Sequence, residues 1–252
     1  MTIPNKLNIL IATGEVSGDL YGSMLVGELK KIFNDPVIYA VGSDHLQKAG
    51  AQIVYDSVKY SSVGLVESLK QGKNILKMMD EIKRFISSTP LDIAIMIDNQ
   101  GVNMPLIDYI HRISPKTKVY YFIPPQEWIW GTQKGGKEVL DKLNKIFCIY
   151  EKEYEFYSAL EPSKTTYVGH PLINLIKEEK NKYIAQGKIV KNNLVGFFPG
   201  SRESEEWGRK TAGRAYCAAG RAIFPNFQRK GCGAAPGSAC TSVPPSPCGD
   251  SS

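Results

Sequence analysis

Short apolar segments that alternate with longer amphipathic ones most constrain how this chain folds. The segment LNILIATG, residues 7–14, is a continuous apolar run, as expected for a strand buried on both faces. LDIAIMID at 91–98 and KVYYFIPP at 118–125 have the same character, and prolines end the latter. Further strands are predicted at VIYAVG, AQIVY, KIFCIY and TTYVGHP. Strands separated by helices predict an α/β fold with an open, doubly wound, mostly parallel sheet.

Helices are predicted between these strands from the spacing of their apolar residues. After the first strand, Leu20, Met24 and Leu29 recur at helical spacing, and Ser17 and Asp19 are candidate caps for that helix. Longer helices are predicted at about 63–86 and 104–113. No apolar run approaches the roughly 20 residues that a membrane-spanning helix needs.

Most of the excess of basic over acidic residues, and four of the five cysteines, lie at the end of the chain. The chain has 31 Lys and Arg and 25 Asp and Glu; six basic residues and one acidic residue lie from Trp207 onward, which leaves 25 against 24 before it. This balance gives no reason to expect a nucleic-acid partner. Cys148 lies in an apolar run and is predicted to be a buried thiol, whereas the other cysteines follow Trp207 without a CxxC pair, so no metal site is predicted. We find no signal peptide and expect a cytoplasmic protein.

Four loops follow predicted strands and meet at one edge of the predicted sheet. They are residues 14–19, 98–103, 124–130 and 169–170. Ligands of open parallel sheets bind beyond the carboxyl ends of the strands, so these loops form one candidate cleft.

Each loop admits a structural and a functional interpretation. The first, GEVSGD, has neither the spacing nor the lysine of a phosphate-binding loop; its glycines serve a tight turn, or the helix N-terminus receives an anionic or polyhydroxylated ligand. Asp98 is either a helix cap or a general base in a dry cleft. Trp128 and Trp130 either belong to the core or stack on sugars or acyl chains, and His170 is either structural or part of the site.

The motifs TGEVSGD, ID…N, PPQEWIW, YVGHPL and FFPGSRESE, in this order, resemble the lipid-A-disaccharide synthase family. The resemblance runs from about Asn8 to Glu205. It implies a B-type glycosyltransferase fold, in which two Rossmann-like domains face each other across a cleft. The first domain would mainly contact the acceptor, and the second would hold the UDP-sugar donor.

The resemblance also implies a reaction. Such enzymes join UDP-2,3-diacylglucosamine to 2,3-diacylglucosamine 1-phosphate with inversion, giving a β-1,6 disaccharide and UDP. They use no cofactor and no metal to bind the nucleotide. Because both substrates carry acyl chains, the enzyme is expected to be peripheral on the cytoplasmic side of the inner membrane. The segment 63–86 is the candidate contact; most of it is expected to be a core helix that packs on the sheet, with membrane contact at its exposed part near 65–76.

Residue roles follow from the matching motif positions. Asp98 would be the base that takes the proton from the acceptor 6-hydroxyl, and Arg202 would neutralise charge on the departing pyrophosphate. The other residues implied to bind substrate are Gly14, Glu15, Ser17, Gly18, Asp19, Asn103, Trp128, Trp130, His170, Ser201 and Glu205.

Two motifs depart from the family pattern. After its ID pair the family usually reads x-P-D-F-N, whereas this chain has NQGVN at 99–103. The family's tryptophan loop often reads SPSVWAWR, whereas this chain has PPQEWIWG, so Gly131 replaces an arginine. These differences are those of a divergent branch, and they put an acceptor contact at Gly131 in question.

The resemblance divides the chain into an acceptor domain at 1–190, the start of the donor domain at 191–206 and a tail at 207–252. The tail has 7 Gly, 5 Pro and 8 Ala in 46 residues and no Leu, a composition that cannot bury a core. We interpret it as foreign to the gene, or else as a genuine disordered tail.

Three functional alternatives follow from this division. The chain is expected to be a truncated, inactive form of the transferase that binds UDP poorly. It could also serve as a non-catalytic acceptor-binding or membrane-docking fragment. A third alternative is another B-type UDP-sugar enzyme such as a UDP-GlcNAc 2-epimerase.

Overall fold

The computed structural model describes residues 7–57 and 68–186, with the side chains of 68–74 excluded, and it contains one sheet of seven strands. The strands are β1 (Asn8–Ala12), β2 (Val37–Gly42), β3 (Gln52–Asp56), β4 (Ile93–Ile97), β5 (Lys118–Phe122), β6 (Lys145–Cys148) and β7 (Thr165–Tyr167). Their order is β3-β2-β1-β4-β5-β6-β7, and every neighbouring pair is parallel. The predicted α/β, doubly wound, Rossmann-like sheet is confirmed.

The helices of this part of the chain connect successive strands or follow the last one. They are α1 (Val16–Ile32), α2 (Asp44–Lys48), α3 (Ser68–Ser88), α4 (Gln100–Ile113), α5 (Glu127–Trp130), α6 (Gln133–Asp141), α7 (Glu151–Leu160) and α8 (Leu172–Ala185). The prediction that α4 begins near Met104 is wrong by four residues, because its first turn is anchored by Asn103, whose amide donates to the carbonyls of Ile97 and Asp98. The tryptophan segment predicted as a loop contains the short helix α5.

Two apolar layers bury the sheet, one on each face. Along β1, Ile9 and Ile11 face one layer, which α1 and α2 cover, while Leu10 and Ala12 face the other, which contains α3, α4, α6 and α7. Burial on both faces explains why the strands read as continuous apolar runs rather than alternating ones. Cys148 is fully buried, and burial raises the pKa of its thiol, so the predicted core cysteine is confirmed.

Asp19 connects the first two helices of the fold. It was predicted to cap α1, but the N-cap of that helix is Glu15, and no side chain caps it. The carboxylate of Asp19 is instead only 2% exposed and accepts hydrogen bonds from the backbone N–H groups of Ser43 at 2.6 Å and His45 at 2.9 Å. The prediction was wrong because a capping side chain can serve another helix's N-terminus, here that of α2.

Replacing Asp19 by alanine should lower the free energy of unfolding by about 2–3 kcal/mol, because two part-buried N–H groups lose a charged acceptor. Urea unfolding followed by circular dichroism measures the change. Ser17→Ala, at an exposed position of the same helix, is the control and should stay within about 0.5 kcal/mol of wild type. Equal stability of the two variants would contradict the role given to Asp19.

Candidate functional site

The sheet reverses its winding between β1 and β4, and the loops after these strands lie against each other. The helix after β1 covers one face of the sheet and the helix after β4 covers the other, which opens a crevice at their carboxyl ends. Gly14 allows this contact, because a Cβ at that position would lie 1.6 Å from Nδ2 of Asn99. Gly18 is similarly confined, by the hydroxyl of Thr13 at 1.9 Å from its ideal Cβ. Both glycines therefore have a packing role.

A cleft of about 510 Å³ lies at this edge of the sheet. It is lined by Glu15, Asp98, Gln100, Pro125, Gln126, Glu127, Trp130 and Gly131. Of the predicted site residues, Glu15, Asp98 and Trp130 thus come together, although they follow three different strands. Three further lining residues were not predicted individually, namely Gln100, Gln126 and Glu127. The sequence indicated only that they belong to the predicted loops 98–103 and 124–130.

Asp98 lies on a backbone turn that non-glycine residues rarely adopt. Asp98 and Asn99 have φ values of 48° and 42°, in the left-handed region. The Asp98 carbonyl oxygen accepts hydrogen bonds from Nδ2 of Asn103 at 2.7 Å and from the Tyr121 hydroxyl at 2.5 Å, and these bonds hold the turn. Strain of this kind, about 1–3 kcal/mol per residue, persists where the surrounding structure enforces it.

The carboxylate of Asp98 is available to a ligand. The N-cap of α4 is Asn99, without a side-chain cap, so the cap interpretation of Asp98 is wrong. Within the described residues no hydrogen bond or ion pair reaches this carboxylate. It is half-buried at the cleft, a position from which it can accept a proton or a hydrogen bond from a bound molecule.

Asn103 lies beneath the cleft rather than along its wall. Its side chain is 1% exposed, and its amide group donates to two backbone carbonyls of the strand end. The observed contacts therefore make Asn103 a positioning residue for the loop of Asp98. A direct substrate contact of Asn103 stays a prediction.

Four rings form a row beside the cleft. Trp128 lies 6.1 Å from Tyr150, which lies 5.6 Å from His170, and His170 lies 6.0 Å from Tyr21, all measured between ring centroids. The row joins the segments after β1, β5, β6 and β7, so Trp128 and His170 have structural contacts. Trp130 differs, being 86% exposed.

A second cavity, of about 560 Å³, lies next to this row. Its lining is mainly apolar and includes Leu25, Phe122, Phe147 and His170. His170 therefore contacts both the row of rings and an apolar cavity, whereas it does not line the first cleft.

Glu153 is a buried carboxyl group close to this edge of the sheet. It is 1% exposed and accepts a hydrogen bond from the N–H of Ile149 at 2.7 Å. Burial raises its pKa to about 7; hydrogen bonds from the N–H groups of Ile149 and Tyr150 oppose the shift, and the negative charge of Asp98 adds to it. Glu153 was not predicted from the sequence, because it lies on a helix of otherwise ordinary composition.

The remaining predicted site residues lie elsewhere. Ser17 is exposed on α1 and does not line the cleft, and Asp19 is buried against α2. Ser201, Arg202 and Glu205 lie outside the described residues. In the part of the chain that the structure describes, no three His, Cys, Asp or Glu side chains are grouped as a metal site would need. No helix in that part is both long and apolar enough to cross a bilayer.

Comparison with known families decides the relationship of this chain. The family described as Lipid-A-disaccharide synthetase matches residues 9–208, which include the cleft and both tryptophans of α5. The chain belongs to the lipid-A-disaccharide synthetase family. The sequence resemblance is thereby confirmed.

Members of the lipid-A-disaccharide synthetase family from several bacteria are similar to this chain. The lipid-A-disaccharide synthase of Geobacter metallireducens is 34% identical over 209 residues, which are 81% of this chain and 53% of the relative. That of Synechocystis is 30% identical over 208 residues, 79% of this chain and 52% of the relative. The chain thus spans about half the length of the curated relatives it matches. Among solved structures, a glycosyltransferase from Rickettsia africae aligns with a TM-score of 0.43 and 16% identity over 75% of this chain and 51% of that one.

The raised pKa of Glu153 predicts a pH dependence of stability. The folded protein holds this proton more tightly than the unfolded chain, whose Glu titrates near 4.5, so the free energy of unfolding should fall as pH rises from 4.5 to about 7. Glu153→Gln removes this component. The free energy of unfolding of the variant, relative to that of wild type, should therefore rise by about 1–3 kcal/mol from pH 5 to pH 8. Urea unfolding at both pH values measures the difference.

The matched control for this pH effect is Glu151→Gln, because Glu151 is exposed in the first turn of the same helix. Its stability should follow wild type at both pH values. A constant difference between Glu153→Gln and wild type from pH 5 to pH 8 would show that Glu153 does not titrate in this range.

Proposed function

We propose that this chain forms the acceptor-binding half of an inverting glycosyltransferase that makes a lipid A disaccharide. The observation that carries the proposal is the Asp98 carboxylate, held on a strained turn at the switch point of the sheet and lining one cleft with Trp130. A carboxylate at such a point suits a general base, and an exposed indole suits the face of a sugar ring. Family membership supplies the reaction class.

The substrates proposed are UDP-2,3-diacylglucosamine as donor and 2,3-diacylglucosamine 1-phosphate as acceptor. Asp98 would remove the proton of the acceptor 6-hydroxyl as that oxygen forms a bond to the anomeric carbon of the donor. The bond from this carbon to UDP breaks on the opposite face of the ring, so the configuration inverts and UDP leaves with the electron pair. Neither a metal nor a cofactor has a part in this proposal.

The donor would be held by residues beyond the described part of the chain. Arg202 would neutralise the charge that develops on the UDP pyrophosphate, with Ser201 and Glu205 in the same loop. These residues require the second half that the relatives possess, so we propose that residues 1–252 alone do not turn over the substrates.

Asp98→Asn should reduce turnover by about 10²–10⁴-fold when residues 1–206 are joined to the second half of the Geobacter relative, because a neutral amide cannot accept the proton. UDP release from the two lipid substrates measures the rate. Asp141→Asn, at an exposed position at the end of α6, is the control and should keep the parent rate. Near-normal turnover in Asp98→Asn, with an active parent, would remove Asp98 from the mechanism.

We propose that the first turns of α3 contact the inner membrane, since both substrates carry acyl chains. Within the described side chains, Ile75 and Leu76 are 47% and 66% exposed and Lys77 is exposed beside them. Exposed apolar side chains next to a cation are typical of a surface that lies on an anionic bilayer.

Replacing Lys70, Lys73 and Lys77 by glutamate should abolish co-sedimentation with anionic liposomes at low salt, because each basic residue near such a surface contributes about 1 kcal/mol. The matched control changes three exposed lysines on α6 and α8, namely Lys134, Lys137 and Lys180, to glutamate. Sedimentation of the first variant like wild type would place membrane contact elsewhere, with the segment of Trp128 and Trp130 as the next candidate.

A further inference from the structure

Three carboxylates line the cleft, those of Glu15, Asp98 and Glu127, and of these only Glu127 was given no role by the sequence motifs. It is the first residue of α5 and lines the cleft with Asp98. The segment after β5 carries it, and β5 lies next to β4, so Glu127 and Asp98 follow neighbouring strands. Two carboxylates on adjacent strand ends can contact two neighbouring groups of one small ligand.

The carboxylate of Glu127 is held from one side by Gln100. Nε2 of Gln100, the first residue of α4, donates to Oε1 of Glu127 at 3.1 Å. This bond joins the segment that carries Asp98 to the segment that carries Trp130. It leaves most of the acceptor sites of the carboxylate unused, because a carboxylate has about four of them.

On the other side of the Glu127 carboxylate, Gly131 and Gly135 leave the space that it occupies. A Cβ at Gly131 would lie 1.8 Å from Oε2 of Glu127 and 2.7 Å from its Cα, and a Cβ at Gly135 would lie 2.5 Å from Oε2. Any side chain at position 131 would therefore displace the carboxylate. This contact gives a physical reason for glycine at position 131.

Glu127 has no cationic partner among the described residues. None of the ion pairs between Lys, Arg or His and Asp or Glu in this part of the chain includes it. Trp130, three residues later on the same short helix, is exposed at the same cleft. A ring that stacks on an indole presents its polar substituents at its edge, where a neighbouring carboxylate can accept hydrogen bonds from them.

We propose that Glu127 is a specificity-determining residue of the cleft. Held by Gln100, it accepts a hydrogen bond from a hydroxyl or amino group of the sugar bound at Trp130, and it disfavours an anionic substituent at that point. This rests on the proposed function, because it takes the cleft to bind a sugar acceptor. The anionic group of such an acceptor then lies at the end of the ring away from Asp98 and Glu127, which orients the acceptor.

Binding of two soluble sugar phosphates to residues 1–252 tests the proposal. Glucosamine 1-phosphate keeps its 6-hydroxyl free, whereas glucosamine 6-phosphate places an anion there. Wild type should prefer the 1-phosphate in ligand-observed NMR titrations. Glu127→Gln should weaken binding of the 1-phosphate about tenfold, through the loss of a charge-assisted hydrogen bond, and should reduce the preference over the 6-phosphate.

The control is Glu138→Gln on α6, which removes the same charge at an exposed position and should leave both affinities unchanged. Gln100→Ala should weaken binding of the 1-phosphate less than Glu127→Gln does, because it frees the carboxylate without removing it. Thermal unfolding of each variant checks that it is folded. A variant that is destabilised without a specific change at the cleft would lose affinity for both sugar phosphates equally.

Two results would overturn the proposal, and they differ in what else they affect. If the 1-phosphate binds wild type, loses affinity in Trp130→Ala and keeps it in Glu127→Gln, then Glu127 has no role in specificity while the proposed function stands. If wild type binds neither sugar phosphate, then both the role of Glu127 and acceptor binding by this cleft are wrong.

Discussion

The cleft depends on one backbone carbonyl oxygen, that of Asp98, which two buried side chains hold in place. Asn103 and Tyr121 reach it from α4 and β5, and together they offset the strain of two successive residues in the left-handed region. Because this turn also begins α4, it sets the position of Gln100 and, through Gln100, that of Glu127. A substitution of either buried side chain would therefore shift Asp98, Gln100 and Glu127 together.

The sequence allowed the sheet to be predicted well, because burial on both faces leaves a pattern that few other structures share. All seven strands lie within the predicted segments, although the pattern is clear only for the central strands, since the edge strands β3 and β7 are only partly buried. The prediction that Asp19 caps α1 was wrong for a physical reason. Its carboxylate oxygens accept hydrogen bonds from the N-terminus of α2, more than twenty residues later in the chain. Local sequence carries no information about a partner at that distance.

The site was predictable only in part. The loops that carry Glu15, Asp98 and Trp130 were identified because the ends of parallel strands meet at one edge, and the family resemblance then implied the individual residues. Trp128 and His170 come from the same loops, but their rings pack against Tyr150 in a row, and no sequence spacing distinguishes a packed ring from an exposed one. Gln100 and Glu127 were not predicted, because a hydrogen bond between segments that follow two different strands produces no regular spacing in the sequence.

The close approach of Glu127 to residue 131 limits how these two positions can diverge. A larger residue at 131 collides both with the carboxylate and with the Cα atom of Glu127, so a smaller side chain at 127 removes only the first of these two collisions. A long side chain at 131 therefore requires both a different side chain at 127 and a shift of the backbone at the end of α5. A laboratory library that varies 131 alone would therefore disturb this wall of the cleft in nearly every member, whereas a library at 127 would not meet this constraint.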